Sequence, residues 1–193
     1  MIKSLFTVPI FQQKLNLNLH SIEKYCLSEK QKNKVGRTRS NKGGWQSKNL
    51  KITQPELNNL ILDIENSSKE FCKLLKLKSV VLQDIWININ NYNCVNIPHL
   101  HPGSILSGVF YVKVPKNGGN IRFQRPGYDS FNCIWPDKKD NSLFLEMDET
   151  NSPEWWMPSM NNILYIFPSW LSHWVEPNLN KKENRISISF NMV

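Results

Sequence analysis

The chain has few of the residues that would staple or anchor a protein. Its four cysteines (Cys26, Cys72, Cys94 and Cys133) are scattered through 193 residues with no CxxC pair. That spacing argues against a zinc finger or a disulfide framework and points to reduced, buried thiols. Long apolar runs are missing too: the N-terminal "MIKSLFTVPIFQQKL" is broken by Pro9 and Gln12 before it could form a signal-peptide core. A soluble cytoplasmic protein with no membrane partner is expected. No internal period appears, which excludes a repeat architecture.

Acid is absent from one long stretch. From Lys30 to Lys51, "KQKNKVGRTRSNKGGWQSKNLK", there are eight Lys or Arg and no Asp or Glu, which equals the whole net charge of +8. Such a segment could meet an anionic partner such as nucleic acid. With only Trp45 interleaved, a solvated loop is the favoured reading.

What is present is a globular composition, 40% hydrophobic and 11% aromatic, and a change of period along the chain. A short strand is expected over residues 5–12 and a modest helix after it. Thr53 as N-cap, Pro55 in the first turn, and Leu57, Leu60, Ile61, Ile64, Phe71, Leu74 and Leu75 at helical spacing predict the most secure helix. After Lys78 the pattern becomes strand-like in "VVLQDIWININ", "ILSGVFYVKVP", "GNIRFQ", "NILYIFP", "HWVEP" and "RISISFNM". This order predicts one α+β, mainly β domain over 1–193. Residues 1–78 would carry a strand, helices and the basic loop, and 79–193 a sandwich or barrel interrupted by a long irregular insertion, 126–158.

Only four histidines exist, and three fall in this β-rich half. "PHLHPGS" puts His99 and His101 two apart, so in an extended segment both imidazoles can face one ion, although an exposed strand end has the same look. His173 follows in "FPSWLSHWVEP", and twelve residues later Arg185, Ser187 and Ser189 share one face of "RISISF" while Ile186, Ile188 and Phe190 share the other. A guanidinium and two hydroxyls on one face form an anion cradle suited to a carboxylate. His20, on the first helix, is expected at the surface.

The runs "HLHPGSILSGVFYVKVPKNGGNIRF" and "YIFPSWLSHWVEPNLNKKENRISISFN" resemble the iron(II)- and 2-oxoglutarate-dependent oxygenases of bacteria and of phages of marine bacteria, relatives of the prolyl-hydroxylase-like oxygenases. "LFTVPIF", "NKGGWQS" and "IWININNY" extend the resemblance over most of the chain. It implies a double-stranded β-helix, a jelly-roll or cupin-like barrel with flanking N-terminal helices. It also implies Fe(II), 2-oxoglutarate as small-molecule cosubstrate, O2, and a dioxygenase, most often a hydroxylase, that releases succinate and CO2. Metal ligands carried over are His101 and His173, with His99 in question, and Arg185 and Ser187 would take the far carboxylate. Tyr92 and Tyr111 are candidate hydroxyl donors to 2-oxoglutarate, or core packing.

The usual His-x-Asp or His-x-Glu is missing. Counting from His99, the acid's slot holds His101 and the site is three histidines; counting from His101, it holds Gly103 and water would fill the third position. Two other readings stay open: a cupin-like three-histidine dioxygenase without 2-oxoglutarate, and a non-catalytic jelly-roll binding module. Trp86, Trp170 and Trp174 are expected to pack the barrel, with Trp155 and Trp156 on the substrate side. The primary substrate is unidentified; an anionic molecule and a protein side chain are both candidates.

Overall fold

A computed structural model describes residue 1, residue 3, residues 5–134 and residues 144–193, with backbone alone over 132–134. Eleven strands are present among these residues: β1 Phe11–Lys14, β2 Asn41–Lys42, β3 Trp45–Gln46, β4 Leu82–Asn90, β5 Val95–His99, β6 Leu106–Lys113, β7 Ile121–Gln124, β8 Glu154–Met157, β9 Ile163–Pro168, β10 His173–Val175 and β11 Arg185–Met192. They form two antiparallel sheets, which we call A (order β1-β9-β6-β11-β4-β3) and B (order β2-β5-β10-β7-β8). From β4 to β7, and again from β9 to β11, each strand lies in the opposite sheet to the one before it. That alternation makes the mainly β, double-stranded β-helix.

Strand alternation divides sheet A into two faces. Ile85, Ile87, Ile89, Phe110, Leu164, Ile166, Ile186, Ile188 and Phe190 form one core with the helices, while Val109, Tyr111, Ile163, Tyr165 and Phe167 pack against Ile121 and Phe123 of sheet B. The helical cover comes from α1 (Leu19–Lys32) and α2 (Asn58–Leu74), which bury Ile22, Tyr25, Cys26, Leu60, Ile61, Ile64, Phe71 and Cys72. At about 25 cal/mol per Å² of apolar surface, this helix–sheet core is the main stabiliser of the fold. Among the described residues no helix is long and apolar enough to cross a membrane.

Several local expectations shift. The first strand starts at Phe11 rather than Leu5. Thr53 caps nothing; Pro55 instead opens a 3-10 turn over Pro55–Leu57 that leads into α2. Leu74, expected in the core, is 68% exposed. The acid-free segment is not simply a solvated loop, because its middle forms β2 and β3, with Asn41, Trp45, Gln46 and Ser47 buried. The insertion is not wholly irregular: it holds α3 (Tyr128–Ile134) and β8. Its remainder over 135–143, and the Cys133 side chain, lie outside the described residues. Cys26, Cys72 and Cys94 are free and buried.

Candidate active site

Sheet B brings the three histidines together. His99 ends β5 and faces His173 of β10 across a ladder rung, while His101 follows after one residue and is tied down through its backbone N–H to the Ser169 carbonyl at 3.1 Å. The ring centroids lie 4.4 Å (His99–His173), 5.0 Å (His99–His101) and 5.2 Å (His101–His173) apart. One nitrogen from each ring falls within 4.8 Å of the other two, a spacing at which they can surround one ion. Pro102 and Gly103 turn the chain away directly afterwards. Gly103 has φ +86°, a backbone state that glycine adopts without strain.

Backbone carbonyls orient two of the rings. Nδ1–H of His99 donates to the Ile97 carbonyl at 2.7 Å and Nδ1–H of His173 to the Leu171 carbonyl at 2.9 Å. A carbonyl only accepts, so in each neutral ring Nε2 carries the lone pair, the form a metal needs. Burial keeps the rings neutral. It lowers His173 well below the ordinary imidazole range, helped by the neighbouring His99, lowers His99, and takes His101 down to about 4, again with His99 adding to the effect. Phe123 and Phe167 flank His173, and Trp86 lies 5.8 Å from His101.

Sheet A supplies the opposite wall. Ser187 and Ser189 of β11, with Trp86 and Asn88 of β4, line the same small cavity as the three imidazoles. Asn88 Nδ2–H donates to Ser189 Oγ at 3.1 Å, while Asn88 Oδ1 is buried without a partner. Beyond Ser187, Tyr111 of β6 stands opposite it on the ladder, and Arg185 is 1% exposed. Arg185 Nη1–H donates to the Glu176 carbonyl at 2.8 Å and to the Gly118 carbonyl. The next residue must be small: a Cβ on Gly119 would sit 2.9 Å from Nη1 and 2.6 Å from the Glu176 oxygen.

No carboxylate among the described residues pairs with this buried guanidinium. Nη2 of Arg185, the Tyr111 hydroxyl and the Ser159 hydroxyl are all buried without partners. Tyr111 feels both neighbours: burial raises its pKa, and the Arg185 charge and Ser159 pull it back. A buried guanidinium with no carboxylate paired to it, beside two hydroxyls within reach of each other only, is costly, and a carboxylate would satisfy all three groups.

The other candidates lie elsewhere. Tyr92 is 44% exposed, its ring 5.5 Å from the Lys181 ammonium, so it does not reach the cavity. His20 is exposed. Trp155 and Trp156 sit on β8 and line none of the cavity. Trp170, expected in the barrel core, is 57% exposed at the mouth. Reasoning along single strands missed Ser159 and Asn88, which lie outside the histidine and arginine runs, and Trp170, which stands three residues before His173 but is exposed.

Residues 84–191 match the family described as "Putative 2OG-Fe(II) oxygenase". No curated protein sequence matches the chain significantly. Among solved structures, a Pseudomonas putida prolyl-4-hydroxylase superposes with TM-score 0.64 at 13% identity, covering 96% of this chain and 92% of that one. The epimerase SnoN in complex with Fe3+, α-ketoglutarate and nogalamycin RO gives 0.66 at 14% identity, covering 96% and 79%. A Trichoplax adhaerens prolyl hydroxylase, in complex with a peptide fragment of the hypoxia-inducible-factor oxygen degradation domain, gives 0.60 at 10% identity, covering 95% and 82%. With three imidazoles of metal-binding spacing and a family match over more than half its length, the chain belongs to the 2-oxoglutarate- and iron(II)-dependent oxygenases and uses iron(II), 2-oxoglutarate and O2.

Proposed function

We propose that this protein is a hydroxylase in which His99, His101 and His173 hold the iron, while Arg185, Tyr111, Ser187 and Ser159 receive the far carboxylate of 2-oxoglutarate. The observation that carries this reading is the pairing of two half-sites: neutral, oriented imidazoles on one sheet and an unneutralised buried guanidinium on the other. All three histidine nitrogens converge, so the three-histidine register is favoured over the one that places water opposite Gly103. The orphaned donors argue against a cosubstrate-free three-histidine dioxygenase, which would have no carboxylate to give them.

When bound, iron(II) supplies the redox chemistry that couples oxidative decarboxylation of 2-oxoglutarate to oxidation of a C–H bond. The chain's own residues do the rest. Ile97 and Leu171 hold two imidazoles in the ligating tautomer. Arg185 and Tyr111 fix one end of the cosubstrate by charge-assisted hydrogen bonds. Val109, Ile121 and Phe167 make part of the cavity wall apolar beside Asn88, Ser187 and Ser189, which limits the water that reaches reacting groups.

Anaerobic titration with iron(II) and then 2-oxoglutarate tests the reading. A visible metal-to-ligand absorption should grow in, saturate at one equivalent of iron, and weaken in Arg185→Ala. Folded protein that binds iron but forms no succinate under air would indicate a binding module instead. Dioxygen consumption without any requirement for 2-oxoglutarate would point to the cupin-like alternative.

A further inference from the structure

The space beside the three imidazoles is only about 40 Å³, room for a few waters at roughly 10–15 Å³ each. The iron and 2-oxoglutarate proposed above need all of that space and more, so the body of a primary substrate lies outside it. Directly outside His101 the wall opens into a groove of about 610 Å³, lined by Pro9, Leu75, Leu77, Leu100, Ile105 and Trp170 among others. Among the described residues no charged side chain lines it. Of its two serines, Ser169 spends its hydroxyl on the Ser104 backbone carbonyl. Across Trp170 lies a second groove of about 370 Å³ with the opposite character, formed by Gln124, Arg125, Tyr128, Asp129 and Ser130 with Leu171 and Ser172. Trp170 is thus a ridge between an apolar and a polar groove, three residues before His173.

We infer, resting on the oxygenase reading above, that the primary substrate is an extended polypeptide lying across the Trp170 ridge, anchored by an apolar side chain in the Leu100–Ile105–Trp170 groove. Two grooves of ligand-binding size that meet at Trp170, one of them reaching His101, suit a chain whose successive side chains differ in character. A compact metabolite would fill one groove and leave the other idle. Specificity at the apolar groove follows from its dryness: a charged side chain seated there would lose its hydration and find no partner.

The test uses a library of random decapeptides incubated with the full-length protein, iron(II), 2-oxoglutarate and air, with mass spectrometry to find peptides that gain one oxygen atom. The expected result is oxidised peptides enriched in Leu, Ile, Phe or Trp at one fixed offset from the oxidised residue. Labelled copies of these peptides should bind the metal-free protein by fluorescence anisotropy, and Ile105→Asp and Trp170→Ala should each weaken that binding about tenfold or more. Both residues are exposed, so both variants should fold and keep the iron–2-oxoglutarate absorption band. Enrichment of acidic residues instead, or affinity unchanged in both variants, would overturn the inference. So would a lack of oxidised peptides from protein that still turns 2-oxoglutarate into succinate, although the oxygenase reading would then stand. Absence of both the band and succinate removes that reading and the inference with it.

Discussion

The two sheets equip the site with opposite chemistry. Sheet B and its following loop supply three nitrogen donors that burial holds uncharged; sheet A supplies a permanent cation and hydroxyls with nothing to neutralise them. The first wall is finished without a ligand, apart from its ion. The second is incomplete, since burying an unpaired charge costs several kcal/mol. On the proposed assignment of the site, affinity for metal and affinity for cosubstrate are separately built and can be separately removed.

The largest effect should come from breaking the nitrogen wall. His173→Ala should abolish stoichiometric iron binding and with it succinate formation, as read by metal analysis and product assay, while 2-oxoglutarate still raises the melting temperature through sheet A. Acid attacks the same wall more gently. The folded-state pKa of His101, about 4, lies below the ordinary 6.5, so below pH 6.5 the unfolded chain takes up the proton first. Stability of the metal-free protein is therefore full above about pH 6.5 and should fall by on the order of 3 kcal/mol as pH drops toward 4. Urea midpoints across that range would show it, and His101→Phe should make the profile shallower, with His99 and His173 keeping the rest of the slope.

Breaking the other wall should leave iron alone. Arg185→Met should raise the KM for 2-oxoglutarate by roughly 10- to 100-fold, the worth of a charge-assisted hydrogen bond, and should cancel the thermal stabilisation by 2-oxoglutarate. Equal loss of iron affinity in this variant would show the two walls to be one unit. The finest cut is Tyr111→Phe, which removes one neutral donor. It should raise the same KM by only about 3- to 10-fold, with iron affinity unchanged.

How much of this was legible beforehand depended on whether a feature lies along one strand or between strands. The alternation of Arg185, Ser187 and Ser189 against Ile186, Ile188 and Phe190 is a property of a single strand, and the fold keeps it. The convergence of His99 and His101 with His173 needed the ladder between β5 and β10, which spacing alone leaves open. Tyr92 was misplaced because a residue just past the end of a strand follows its turn rather than the strand face, and here the turn carries it outward. Ser159 and Trp170 had no local signal at all: one is a loop hydroxyl, the other one of seven tryptophans in a chain where aromatics mostly pack.

The short run from Asn41 to Gln46 has a mechanical consequence. Two residues join sheet B and two join sheet A, with Gly43 and Gly44 between them. A Cβ on either glycine would come within 3.1 Å of Cys94 Sγ or Asn90 Nδ2, so the crossing is drawn tight. It works as a clasp along the margin of the barrel where β2 and β3 form the edges of the two sheets. Lengthening this crossing would therefore free an edge strand of each sheet at once, since β2 and β3 stand at the ends of their sheets.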